Sequence, residues 1–242
     1  MGTVDRDQFM RDGFLILRGF VLSDEVRQLR GAWETLLEGQ KEIWRSQRGP
    51  DDPPGGEWDS SLQPRPQLLS SNDQAGVNLL DGDTISALEF WTSDRIRGVA
   101  GELLSVADAA SGQICLMCNP TFDYGPAFWH RDWHPIDMGP MRHAQEAVVE
   151  HGPTLVQWNV PLYDDSVFWV VPMSHDRLNT DAEDRQLRED FRVPLPGGVP
   201  VDLKAGDAIV YNNHLLHWGS DYSTRAIRRT MHASHSIFPT WE

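Results

Sequence analysis

Two imidazoles, a carboxylate and an arginine carry the chemistry suggested by this chain. His130 and Asp132 flank a single arginine, and His217 lies far downstream with Arg228 eleven residues beyond it. Two histidines and one carboxylate form the donor set that holds a non-haem Fe(II) by one face and leaves the other positions open to reactants. On an extended strand, residues i and i+2 project from the same side, so His130 and Asp132 can converge on one ion while a distant strand supplies the third donor. An inward arginine would clamp a dicarboxylate, because its planar fork bonds both oxygens of a carboxyl group.

The third donor has two candidates. His214 and His217 each have an arginine eleven residues later, Arg225 and Arg228. Arg225 falls in the polar run Asp221-Tyr222-Ser223-Thr224, which reads as a loop. Arg228 opens a β-like run through Thr230 and His232, where alternate side chains can point inward. The expected pair is therefore His217 with Arg228, leaving His214 in a supporting place.

The elements that must position these residues divide the chain in two. Asp5 to Arg11 reads as a short helix ending near Gly13, followed by a strand over Phe14–Leu17. Ser23-Asp24-Glu25 caps a second helix, with Val26, Leu29, Trp33, Leu36 and Leu37 at helical spacing and Gly39 as its stop. Residues 46–75, rich in Pro, Gly, Asp and Ser, read as a surface excursion without regular structure. Helices are expected again over Thr84–Trp91 and Ser93–Leu104.

Beyond residue 110, short apolar runs separated by turn residues predict strands at Ile114–Met117, Phe128–Trp133, Leu155–Leu162, Val167–Val171, Val199–Leu203, Ala208–Tyr211 and Arg229–Ile237. The expected architecture is mainly β with flanking helices: a single domain over 1–242, helical to about 108 and β-rich from about 109. Two inserts interrupt the strands. The one at about 136–153 directly follows the proposed metal segment and is expected as a lid. Asp181 to Arg192 is charged and reads as helical or mobile.

A formal charge of −15 argues against nucleic acid or an anionic membrane as partner. No run is apolar enough to cross a bilayer, and Met1 to Arg11 holds no signal-peptide core. The only cysteines, Cys115 and Cys118, sit in an apolar strand where i and i+3 face opposite ways, so buried, inert thiols are expected. These features point to a cytoplasmic protein, and so acidic a chain does not advertise the basic cleft that a coenzyme A thioester would favour.

In combination these motifs resemble the phytanoyl-CoA dioxygenase family of Fe(II)/2-oxoglutarate oxygenases. The resemblance runs through Asp12-Gly13-Phe14 with Ser23-Asp24-Glu25-Val26, the His130-Arg131-Asp132 triplet, Val171-Pro172-Met173-Ser174-His175, Gly206-Asp207, and the His217 to Arg228 spacing. It implies a double-stranded β-helix (jelly-roll, cupin-like) core, with iron held by His130, Asp132 and His217. It further implies 2-oxoglutarate and O2 as cosubstrates, Arg228 on the distal carboxylate, and Trp158 beside the cosubstrate. Asn119, on the approach to the metal segment, is a candidate contact to cosubstrate or substrate. Alternation puts Phe128 and His134 on the metal-facing side as pocket residues.

The implied reaction couples decarboxylation of 2-oxoglutarate to succinate and CO2 with oxidation, by default hydroxylation, of a small, partly apolar metabolite, as in specialised-metabolite biosynthesis. Desaturation, cyclisation or epimerisation are alternatives within the class, and a non-catalytic metal-binding β-barrel is the competing reading. Related halogenases lack the carboxylate, so Asp132 favours oxygenation or desaturation. The chain departs from the family pattern at Met173, where glycine is usual, and at Gly219, where serine or threonine commonly assists the arginine. Asp164-Asp165-Ser166 also stands where Asn-Gly is expected.

Overall fold

The computed structural model describes residues 4–47, 49, 65–69, 79–120, 123, 125–132, 143, 150, 152–225 and 227–237. A short helix α1 (Arg6–Asp12) begins where the Asp5 side chain accepts from the Gln8 amide, and it ends at Gly13, whose φ of 85° glycine adopts without penalty. Strand β1 (Phe14–Leu17) follows, then the long helix α2 (Ser23–Gln47). The expected stop at Gly39 is wrong. A glycine inside a helix costs about 1 kcal/mol, and the helix runs on past it to pack Trp44 against the main core, a contribution of similar or larger size.

Strand β2 (Gln67–Leu69) is a second correction, since it falls within the segment expected to be irregular. Helices α3 (Ser86–Thr92) and α4 (Asp94–Leu104) lead into β3 (Ala110–Cys118), and β4 (Leu155–Pro161) and β5 (Phe168–Val170) come next. The charged insert contains helix α5 (Asp181–Glu189), opened by Thr180 and Glu183 in a reciprocal capping box. Strands β6 (Val199–Pro200), β7 (Ala208–Asn212), β8 (His217–Gly219) and β9 (Arg229–Ser236) complete the order. Strand β6 is shorter than expected, and beyond Pro200 only a single bridge, Asp165 to Leu203, continues the pairing. The expected strand over Phe128–Trp133 is also absent among the described residues. In its place one antiparallel bridge joins His130 to His217.

Six strands form one sheet in the order β1-β7-β4-β9-β3-β2, and three form a second in the order β6-β5-β8. Alternation divides the large sheet cleanly. Ile114, Leu116, Val156, Trp158, Val160, Val210, Met231 and Ala233 face the helices and join Phe9, Trp33, Trp91 and Leu103 in the main core. On the other face, Ile209 and Tyr211 meet Phe168 and Val170 of the small sheet, so the two sheets sandwich a second core. The result is a double-stranded β-helix with helices over one face of its large sheet.

Cys115 and Cys118 are both fully buried, and burial pushes their thiols up to about 11 and about 12. His235, also fully buried, shares Nε2 between the Ser111 hydroxyl (3.1 Å) and the Trp91 carbonyl (3.2 Å). Burial, reinforced by the Arg97 charge and only partly offset by that carbonyl, lowers it to about 4. An unfolded imidazole titrates near 6.5. Between those values the unfolded chain takes up a proton that the folded chain refuses, so stability falls as pH falls through this window. Unfolding free energies from urea titrations should therefore drop between pH 7.5 and 5, and His235→Gln should shrink that drop by about 1–2 kcal/mol. An equal drop in the variant would remove His235 as its source.

Candidate active site

Strand β8 and the segment before it build the site. His130 and His217 exchange backbone hydrogen bonds (3.0 and 2.9 Å), and the Asp132 amide donates to the Asn213 carbonyl at 2.8 Å. The side chain between the two proposed ligands points the other way. Arg131 is buried and donates to the carbonyls of Ser174 and His214 and to Asn179 Oδ1 at 2.8 Å. The triplet is thus pinned by its middle residue to the Val171–His175 turn and to the turn that precedes β8. Ser174 tightens the same junction by accepting from the Leu216 amide at 2.8 Å. In that turn Met173 holds φ at 60°, the left-handed region that accounts for a glycine at this place in the family pattern.

His130, Asp132 and His217 form a group whose donor atoms all lie within 4.8 Å of one another. His217 Nε2 is 3.4 Å from one Asp132 oxygen, and His130 Nε2 is 3.8 Å from the other. Each imidazole donates from Nδ1 to a backbone carbonyl, His130 to Phe128 (3.0 Å) and His217 to Leu215 (2.8 Å). That fixes the tautomer and leaves both Nε2 lone pairs aimed at the shared point. Burial, and then His217, push His130 down to about 4. Burial alone would raise the Asp132 carboxyl, but His217 and then His130 hold it below its ordinary range. A His130 imidazole held neutral beside an Asp132 carboxyl held ionised suits a divalent cation, and two imidazole nitrogens with one carboxylate are a donor set that fits iron.

The triad opens on a cavity of about 140 Å³. Gln157 and Asn159 of β4, His232 of β9 and Gln113 of β3 line it with polar groups; Met117, Phe168 and Trp218 supply apolar wall. Arg228 also lines it and is nearly buried. Its Nε donates to Asp165 Oδ2 at 3.0 Å, and its guanidinium carbon stands 5.4 Å from the centre of the Tyr222 ring. Burial would raise the Asp165 carboxyl, yet the Arg228 charge and hydrogen bonds from Thr230 and the Val167 amide hold it low. The rival arginine, Arg225, is largely exposed beside Asp123.

Three expected pocket residues stand elsewhere. Trp158 faces the helices, stacked 5.9 Å from Phe20, because strand alternation gives the cavity side to Gln157 and Asn159. Asn119 acts on the chain instead of the cavity, accepting from the Arg228 amide at 2.9 Å and from Arg229 at 3.0 Å. Phe128 is 60% exposed, its ring 5.3 Å from that of His130, since a single bridge does not extend alternation back to it. His134 lies outside the described residues, as does the expected lid at about 136–153 apart from His143, Glu150, Gly152 and Pro153.

Sequence reasoning missed Arg65, Gln157, Asn159, Asp165 and Tyr222. For Gln157 and Asn159 the signal was present: they are the polar residues alternating with Val156, Trp158 and Val160 in a strand buried throughout. Arg65, which also lines the cavity from beside β2, carries no such pattern.

The family model for phytanoyl-CoA dioxygenase matches residues 9–230. A search of curated protein sequences finds no match. Among solved structures, the chain is similar to AviO1 from Streptomyces viridochromogenes Tue57, at 20% identity and a TM-score of 0.61 over 100% of this chain and 99% of that one. It is also similar to SnoK, a non-heme alpha-ketoglutarate-dependent carbocyclase from nogalamycin biosynthesis, at 15% identity and a TM-score of 0.63 over 98% and 84%. A third is EctD from S. alaskensis, solved with 2-oxoglutarate and 5-hydroxyectoine, at 16% identity and a TM-score of 0.61 over 98% and 76%. These likenesses carry the fold, and the family match covers nearly the whole chain. The chain belongs to the phytanoyl-CoA dioxygenase family and is an iron- and 2-oxoglutarate-dependent dioxygenase.

Proposed function

We propose that this single-domain enzyme oxidises a small metabolite in the cavity between its two sheets, with His130, Asp132 and His217 holding iron and Arg228 the distal carboxylate of 2-oxoglutarate. The observation that carries the reading is the convergence of three donor atoms at a cavity also walled by a buried arginine. When bound, the iron and cosubstrate supply the oxidising power, with 2-oxoglutarate leaving as succinate and CO2. The chain's own residues orient and exclude. The Phe128 and Leu215 carbonyls fix the two imidazoles, Arg131 locks the segment between the ligands, and Asp165 holds the guanidinium of Arg228 in place.

The wall that binds substrate is mixed. Gln113, Gln157, Asn159 and His232 suit a molecule with hydroxyl, amine or amide groups, and Phe168 and Trp218 suit an apolar part. Hydroxylation is the default outcome; the carbocyclase among the similar structures supports cyclisation as the alternative. Two free, buried cysteines accord with a reducing, cytoplasmic compartment. Among the described residues no helix is long and apolar enough to cross a membrane.

Anaerobic addition of Fe(II) and then 2-oxoglutarate should develop the visible charge-transfer band of the chelate. Bound iron without a band would sink the cosubstrate assignment. Replacing His217 with alanine should abolish the band, while His214→Ala should keep it; the reverse result would exchange their roles.

A further inference from the structure

We propose that the Tyr222 hydroxyl is a second hydrogen-bond donor to the distal carboxylate of 2-oxoglutarate, beside Arg228; this rests on the cosubstrate reading above. The geometry begins with strand β8. Residues i and i+2 of a strand share a face, so a side chain at 219 would point to the same side as His217, into the cavity. Gly219 has none. A Cβ built there would lie 2.3 Å from the Tyr222 hydroxyl oxygen and 2.5 and 2.6 Å from two of its ring carbons. The phenol therefore occupies the place that a side chain at 219 would take, and its oxygen lies on the His217 side of the wall.

Tyr222 is 8% exposed, and its backbone is fixed by an amide hydrogen bond to the Gly125 carbonyl at 3.1 Å. Its ring lies against the Arg228 guanidinium, and both residues line the cavity that holds the triad. Asp165 takes the Arg228 Nε and balances its charge. A carboxylate has about four lone-pair sites, more than one guanidinium fork fills. A phenol hydroxyl at this place adds a charge-assisted bond where a second cation would need its own counter-ion. The hydroxyl that the family pattern sets at position 219 is thereby delivered from three residues further along, and the glycine is what admits it.

The test uses the whole protein loaded anaerobically with Fe(II) and two titrants. One is 2-oxoglutarate, and the other is 2-oxopentanoate, which has the same chelating end and carbon count but a methyl group in place of the distal carboxylate. The chelate band reports both Kd values. Tyr222→Phe should weaken 2-oxoglutarate about 10-fold, the loss of one hydrogen bond to a charged group, and leave 2-oxopentanoate unchanged. No change for either titrant, or an equal loss for both, would overturn the proposal. Tyr222→Ala combined with Gly219→Ser should bind 2-oxoglutarate more tightly than Tyr222→Ala alone, because the serine restores a hydroxyl on the same wall. A double variant no tighter than the single one counts against it. Absence of the band in the unaltered protein would instead remove the cosubstrate reading itself.

Discussion

Asp132→Ala should cost the protein its iron. With the carboxylate gone, two imidazoles remain at the shared point, and the only anionic donor of the triad is lost. Even residues that merely orient a ligand change affinity 10- to 100-fold, so removing a ligand should lower Fe(II) affinity by at least about 100-fold and take turnover with it. The fold should survive. The Asp132 side chain is 30% exposed, and the segment is held by the Asp132 amide, the His130 bridge and Arg131, none of which the change removes. Iron content after desalting, read beside a melting curve, separates the two effects. Unchanged iron content and turnover would take Asp132 out of the triad.

Asp165→Asn should destabilise the protein, and 2-oxoglutarate should repair more of that loss than its effect on the parent. Asp165 and Arg228 form an almost fully buried ion pair, 3.0 Å apart, tied further to Thr230 and the Val167 amide. Removing one charge of such a pair leaves the other uncompensated and costs about 3–5 kcal/mol, which for a chain of this size lowers Tm by roughly 6–20 °C. Asparagine keeps the shape and a hydrogen-bonding oxygen, so the loss isolates the charge. A bound dicarboxylate then becomes the counter-ion of Arg228, and a ligand that binds only the folded state raises its stability. Thermal unfolding of the iron-loaded protein, with and without 2-oxoglutarate, measures both effects. A Tm within about 2 °C of the parent would show that Arg228 does not depend on Asp165.

The parts of the site legible in the sequence were those whose chemistry is rare in a core. A histidine and an aspartate two residues apart, and an arginine opening a strand, had few structural reasons to be there. The choice between His214 and His217 also followed from local pattern: Arg225 sits in a polar turn and is exposed beside Asp123, while Arg228 is buried against Asp165. What stayed hidden depended on register across strands. Trp158 looked like a pocket aromatic by family likeness, yet its neighbours Gln157 and Asn159 hold the cavity face, as their alternation with apolar residues could have told. Asp165 read as a lost Asn-Gly turn because its partner is 63 residues away. Tyr222 read as loop because its role comes from a side chain that Gly219 lacks. Most helix and strand positions were readable from spacing. The end of α2 was not, because Trp44 packs on the core beyond Gly39 and carries the helix past the glycine.

The order of strands in the large sheet bears on how the molecule is made. Strand β9 lies between β3 and β4, and β1 pairs with β7, so that Phe14 meets Tyr211. Every wall of the proposed active-site cavity therefore joins pieces remote along the chain, and loop-closure entropy must be overcome before any of those pairings stabilises the rest. A chain emerging from the ribosome can form its helices early, but β1 waits with both edges unpaired until β7 has been synthesised. The proposed site and the sheet are then completed together, because His217 arrives just after β7 and Arg228 just before β9. A nascent chain that is still unable to hold iron is for the same reason still open to pairing with a neighbour.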